Sequence, residues 1–311
     1  MLGGSQGLPR FNNNTDQESL LAFKSEISRD PLGVLGTWNL STSFCNWTGV
    51  TFNVTKQRVT GINLENHGLV GSIAPHIGSL SFLNYLNLQN NSFLGNLPQE
   101  MGQLFWLRTL ILGSNQIQGT IPSSLSLCTR LTLLDLSINR LQGTIPKELG
   151  SLSELQDIPE GLGRLPFLIN LQVGLNSISG EIPPSLFNSS SLIALAMAGN
   201  KLTCTLPPDM FTTLTSLTTL YLGGNPLSGR IPPSLGNASN LVFVDLSNNS
   251  FSGQIPLLWN LPNIQILSLQ INKLVNAGNM DFVTSLANST QLQVFRWRKI
   301  SSHWRKTKDP T

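Results

Sequence analysis

Acid–base or metal chemistry in this 311-residue chain would have to start from three histidines, His67, His76 and His303, and three cysteines, Cys45, Cys128 and Cys204. No histidine has an acid or a nucleophile at motif spacing. The cysteines lie in three separate contexts and give neither a metal-ligand spacing nor a disulfide framework. Glu148 with Glu154, and Asp157 with Glu160, are loop acids that read as solvated charges, not as an acid–base pair. No glycine-rich phosphate loop or Asp-Phe-Gly metal motif occurs. The sequence therefore reads as a non-enzyme, with no cofactor and no metal. Nine Asn-X-Ser/Thr sequons offer modification chemistry instead: Asn13, and the candidate glycosylation sites Asn39, Asn46, Asn53, Asn90, Asn188, Asn237, Asn248 and Asn288.

Side chains suited to binding fall into columns. One runs Asn63, Asn87, Ile111, Asp135, Gln172, Ala196, Tyr221, Asp245, Ser268. A second, two residues earlier in each segment, runs Gly61, Tyr85, Thr109, Leu133, Asn170, Ala194, Thr219, Phe243, Ile266. Tyr221, Phe243 and Ile266, edged by Asp245, are expected to form one patch suited to an extended peptide, because aromatic anchors dominate such contacts. Tyr85, Asn87 and Asp135 complete the candidate ligand-binding set.

The columns presuppose a repeat, and one is present. Leu83-x-x-Leu86-x-Leu88-x-x-Asn91-x-Phe93-x-Gly95-x-Leu97-Pro98 recurs from Leu107, Leu131, Leu168, Leu192, Leu217, Leu241 and, altered, Ile264. An opening copy starts at Val59, with His67 in the Asn position. Alternation in x-x-Leu-x-Leu marks a short strand, leucines inward. The Asn suits turn hydrogen bonds that stacking would extend into a ladder. Gly permits positive φ, and Ile-Pro closes the unit. One unit cannot bury its own apolar face, whereas stacked units share a core. The expected fold is an α/β repeat solenoid: a right-handed leucine-rich-repeat superhelix with a short-stranded parallel concave sheet. Loops and 3-10 turns are expected on its convex side, and a helical cap at its N-terminus. Thr15-Asp-Gln-Glu18 reads as a capping box starting that helix. The expected boundaries are a disordered leader over 1–14, the cap over 15–58, repeats over 59–295 and a basic tail over 296–311.

Composition narrows the partners. The chain carries 19 basic and 16 acidic residues, a net charge of +3. Six of the basic residues and one acid, Asp309, lie in 296–311, so the remainder holds 13 basic (19 − 6) and 15 acidic (16 − 1) residues. A near-neutral body gives no footprint for nucleic acid. No apolar run reaches the ~18–20 residues that a membrane span needs, and Met1 to Phe11 has no signal-peptide pattern.

With Gly and Ile-Pro inside a 24-residue unit, the array resembles the plant-specific class of leucine-rich repeat. The segments Ser19-Leu-Leu-Ala-Phe-Lys24, Asp30-Pro31, Trp38-Asn39 and Phe44-Cys-Asn-Trp-Thr-Gly-Val50 resemble the N-terminal domain of plant leucine-rich-repeat receptor kinases. Leu69-Val-Gly-Ser-Ile73 and Met280-Asp-Phe-Val-Thr-Ser-Leu286 resemble the subfamily of rice bacterial-blight and elongation-factor-peptide receptors. The resemblance implies an ectodomain at the cell surface that binds a peptide or protein ligand in immune or developmental sensing. It also implies a second leucine-rich-repeat protein as co-receptor. The membrane and kinase regions of such receptors are not part of this sequence, which reads as a truncated form.

The departures are specific. The family cap pairs two cysteines, and Phe52 stands where the partner of Cys45 is expected. Cys128 on the convex side and Cys204 in a repeat-glycine position read as buried thiols. The Leu131 and Leu168 repeats lie 37 residues apart, one unit of 24 plus 13, so one unit has lost about eleven residues. We expect its flanking strands to pair directly or leave a gap, with 156–166 bulging on the convex side. Two alternatives stay open: a secreted inhibitor of cell-wall-degrading enzymes built from the same repeat, and a degenerate product without function.

Overall fold

The computed structural model describes residues 13–151, 168–275 and 281–297. Its spine is an eleven-stranded sheet. Ten strands run parallel, from Arg58–Asn63 through Tyr85–Asn87 and Thr109–Ile111 to Val294–Arg296. Val50–Asn53 lies antiparallel against the first and closes that edge. Leu86, Leu110, Leu134, Leu171, Leu195 and Leu220, at the centres of successive strands, are fully buried. They belong to one continuous core that extends from Leu20 and Phe23 in the cap to Leu286.

The asparagine ladder forms as the repeat implies. Asn115 donates through Nδ2 to the carbonyls of Leu88 in the preceding unit and Leu112 in its own, each at 3.0 Å, while its Oδ1 accepts from the N–H of Phe93 at 2.9 Å. Asn91, Asn139, Asn176, Asn200, Asn225, Asn249 and Asn272 repeat this pattern. Each rung satisfies backbone groups that the turn would otherwise bury unpaired. At the opening unit, where His67 replaces Asn, the neighbouring Asn91 accepts from the N–H of both His67 and Leu69.

The 3-10 turns stand on the far side, among them Pro75–Ser79, Gln99–Gln103 and Pro233–Asn237. A second layer of short strands accompanies them, which the sequence reading did not anticipate. Ile27–Arg29, Val70–Ser72, Ser92–Asn96, Gln116–Thr120 and Arg140–Gln142 make a five-stranded sheet, followed by separate two- and three-stranded ones. The repeat glycines lie in or beside these strands with φ between 75° and 82°, for example Gly95, Gly119 and Gly229. Cys204 occupies that position without the left-handed backbone, because its Cβ penalises positive φ. The strand there stops at Leu202, and only an isolated bridge from Thr205 to Ser228 continues toward the next unit. Cys204 is half-buried, more open than expected, whereas Cys128 is fully buried.

At the shortened unit the strand Leu133–Asp135 pairs directly with Asn170–Gln172, so the sheet has no gap. The expected bulge at 156–166 falls outside the described residues.

In the cap, the helix spans Asn13–Ser25. It takes in Asn13 and Asn14, assigned above to the leader, and places Thr15, the expected cap, inside the first turn. Asp16, between the two box residues, faces inward. Fully buried, it accepts from Arg58 Nη2 at 2.7 Å, Arg58 Nε at 2.9 Å and the Val59 N–H at 2.8 Å, tying the helix to the first repeat. Cys45 has no disulfide; Phe52, in the expected partner position, meets Phe44 edge-on at 5.4 Å.

Candidate functional site

Strand register places both columns as read from the sequence. Tyr85 pairs with Thr109, Leu133 with Asn170, Thr219 with Phe243 and Phe243 with Ile266. In the other column Asn87 pairs with Ile111, Ile111 with Asp135, and Tyr221 with Asp245. Residues two apart on a strand share a face, so both columns look away from the leucine core.

The structure brings four of the seven candidate residues together. The Tyr221 and Phe243 rings are 6.5 Å apart and inclined at 39°. Ile266 neighbours Phe243, and Asp245 neighbours Tyr221. All four are half-buried. Burial pushes the Tyr221 phenol above its ordinary pKa, with the Asp245 carboxylate adding to the shift. Tyr85 and Asn87 lie apart from this patch, toward the N-terminal end. Asn87 Nδ2 donates to Glu65 Oε2 at 2.6 Å and to the Tyr85 hydroxyl at 3.2 Å, a polar cluster of its own. Asp135 stands between the two groups.

Sequence reading missed the local geometry that holds the acids. Asp135 Oδ1 accepts from the N–H of Ser137 at 2.9 Å, and Asp245 Oδ1 from the N–H of Ser247 at 2.9 Å. Each carboxylate stands over a glycine of the preceding unit, Gly113 or Gly223, where a Cβ would come within 3.1 Å or 2.8 Å of it. The paired Asp-Leu-Ser and Leu-Gly signatures were available in the sequence. A stack beside the first units was also missed. The Phe82 and Trp106 rings lie 6.3 Å apart, with the Arg58 and Arg130 guanidiniums 4.6 Å and 3.8 Å from their respective centroids. Cations already cover these rings, which makes the stack a brace.

Six of the candidate glycosylation residues, Asn46, Asn90, Asn188, Asn237, Asn248 and Asn288, are exposed. Asn39 and Asn53 are half-buried, and Asn39 Nδ2 donates to the Gly36 carbonyl. Among the described residues no three His, Cys, Asp or Glu side chains cluster as metal ligands, and no helix is long and apolar enough to cross a membrane.

Comparison with known proteins agrees with this architecture. The leucine-rich-repeat N-terminal domain matches residues 13–51, and leucine-rich-repeat models match 82–104, 106–128, 130–152, 166–227 and 240–261. The chain belongs to the leucine-rich-repeat proteins. Among curated relatives, it is similar to the LRR receptor-like serine/threonine-protein kinase EFR of Arabidopsis thaliana, 49% identical over 78 residues. That stretch is 25% of this chain and only 8% of the kinase. Among solved structures, the plant peptide hormone receptor RGFR1 in complex with RGF2 superposes with a TM-score of 0.62 at 34% identity, covering 73% of this chain and 35% of the receptor chain. A plant ice-binding protein shares the fold with a TM-score of 0.64 at 23% identity, covering 94% of this chain and 97% of its own.

Proposed function

We propose that this chain is the ligand-recognition region of a plant receptor kinase, displayed outside the cell and taking an extended peptide across its concave strands. The observation that carries this reading is the patch of Tyr221, Phe243 and Ile266, apolar groups on a sheet face turned to solvent. The likeness to a receptor solved with its peptide hormone supports a peptide as the ligand. The sheet, core and asparagine ladder continue directly from the Leu131 repeat to the Leu168 repeat, which counts against a degenerate array. A peptide of microbial or endogenous origin is the ligand class, with a second leucine-rich-repeat protein as co-receptor. Passage through the secretory pathway would make the exposed sequons glycan acceptors.

The test is selection of random twelve-residue peptides on the secreted full chain, followed by affinity measurements on Tyr221→Ala/Phe243→Ala. Loss of two aromatic anchors should weaken the selected peptides by about thirtyfold or more. Peptides that bind this double variant as well as the parent would overturn the patch as the site.

A further inference from the structure

Four strands carry a hydrogen-bond acceptor at their outward third position, and the turn it serves does not need a charge there. Asn63 and Asn87 fill this position with neutral amides, and their Oδ1 atoms accept from the N–H of Glu65 and Gln89, two residues on. Asp135 and Asp245 do the same for Ser137 and Ser247 with carboxylates. The negative charge at 135 and 245 is therefore surplus to the turn. It is not neutralised within the fold either: among the described residues the ion pair is Arg58 with Asp16, and neither Asp135 nor Asp245 meets a cation. Asp245 is half-buried and Asp135 is 9% exposed, and in each one oxygen accepts from the turn; a carboxylate held in this way on a strand face, without a cation of its own, is a receptor for one.

The two acids stand in one column, four strands apart, with Gln172, Ala196 and Tyr221 between them. At ~4.8 Å per strand their separation is about 19 Å, the reach of about six residues of extended chain. Ala194 and Ala196, midway, leave the backbone of a crossing peptide room to lie close to the sheet. Tyr221 and Phe243 then offer an apolar contact just before the second acid.

From this geometry we infer that the concave face selects a dibasic peptide, with two Lys or Arg side chains about five to seven residues apart seated on Asp135 and Asp245, and an apolar residue between them on the Tyr221–Phe243 pair. The inference rests on the peptide-recognition reading above and specifies its ligand.

The experiment compares peptides selected on the parent chain with those selected on Asp135→Asn and on Asp245→Asn. Asn keeps the acceptor that the turn uses, as Asn87 shows, so both variants should fold; circular dichroism and melting temperature verify this. The parent should enrich peptides with two basic residues at that spacing. Each variant should lose enrichment at one of them and bind parent-selected peptides at least tenfold more weakly. Enriched peptides without paired basic residues, or peptides indifferent to both substitutions, would overturn the dibasic assignment while leaving peptide recognition standing. Failure to enrich any peptide would overturn both.

Discussion

Leu141 donates its backbone N–H to the side-chain oxygen of Asn176 at 2.9 Å, although 35 residues of sequence separate them. The other rungs of the ladder join residues 21 to 23 apart. The shortened unit therefore lengthens the chain between two rungs without breaking the stack. Asn176 also donates to the carbonyls of Leu136 and Val173. Asn176→Ala leaves several of these inward groups unpaired and should lower stability by about 2–3 kcal/mol. Denaturant unfolding checks this, and a change below about 0.5 kcal/mol would show that the ladder is not continuous here.

Asp16 and Arg58 make the second prediction. Removing one partner of a buried pair strands the other, so Asp16→Ala should cost about 3–5 kcal/mol. The loss should appear first as faster hydrogen exchange in 13–63, since the pair joins the cap helix to the first strand. Replacing both residues by apolar ones of similar size should recover much of it.

The ladder's turn carries local strain at four units, with Ser114 at φ 57° and bulkier residues at the other three. Ile138, Leu175 and Ile271, each just before a ladder asparagine, have φ of 53°, 55° and 55°. Asn90 and Asn248 hold the same place at 53° and 52°, and asparagine tolerates that backbone better. Ile138 is exposed, so Ile138→Asn sacrifices little packing. Stability should rise by about 1 kcal/mol, read as a higher melting temperature. A fall would mean that the Ile138 side chain is held by contacts that outweigh the strain.

Cys128 is buried among convex residues, its thiol donating to the Met101 carbonyl, and burial pushes its pKa up to about 12 from 9.0. Native protein at pH 8 should leave Cys128 unlabelled by iodoacetamide and release it for labelling on unfolding, as mass spectrometry would show. The raised value also gives a sign to the alkaline limb. Below the unfolded pKa near 9 both states keep the proton and the contribution is intact. As pH rises toward 12 the unfolded state ionises first, so this site's contribution is lost across that window.

Periodicity made the solenoid legible. Once the leucines of x-x-Leu-x-Leu are set inward, register follows, and the pairs Phe243–Ile266 and Tyr221–Asp245 could be written down before any coordinates. The remainder depends on contacts between distant segments that no period encodes. Asp16 is locally just an acid between the two box residues Thr15 and Glu18, and only the approach of Arg58, 42 residues on, makes it an inward anchor. The second layer of strands was hidden because Ser92–Asn96, Gln116–Thr120 and Ser250–Gln254 contain the very glycine that marks a turn. In the site, the columns revealed which side chains face outward. They did not separate Tyr85 and Asn87, engaged with Glu65, from the patch around Tyr221.

The direct pairing of Leu133–Asp135 with Asn170–Gln172 has a metric consequence. The inner face measures distance in strands, so residues added or lost on the outer arc leave its graduations untouched, while each missing strand deletes one whole mark. Here the deleted mark lies between the two acids and draws Asp135 about 4.8 Å closer to Asp245 than an intact unit would allow. Changes in the length of such a chain thus reach its partner only in steps of one strand.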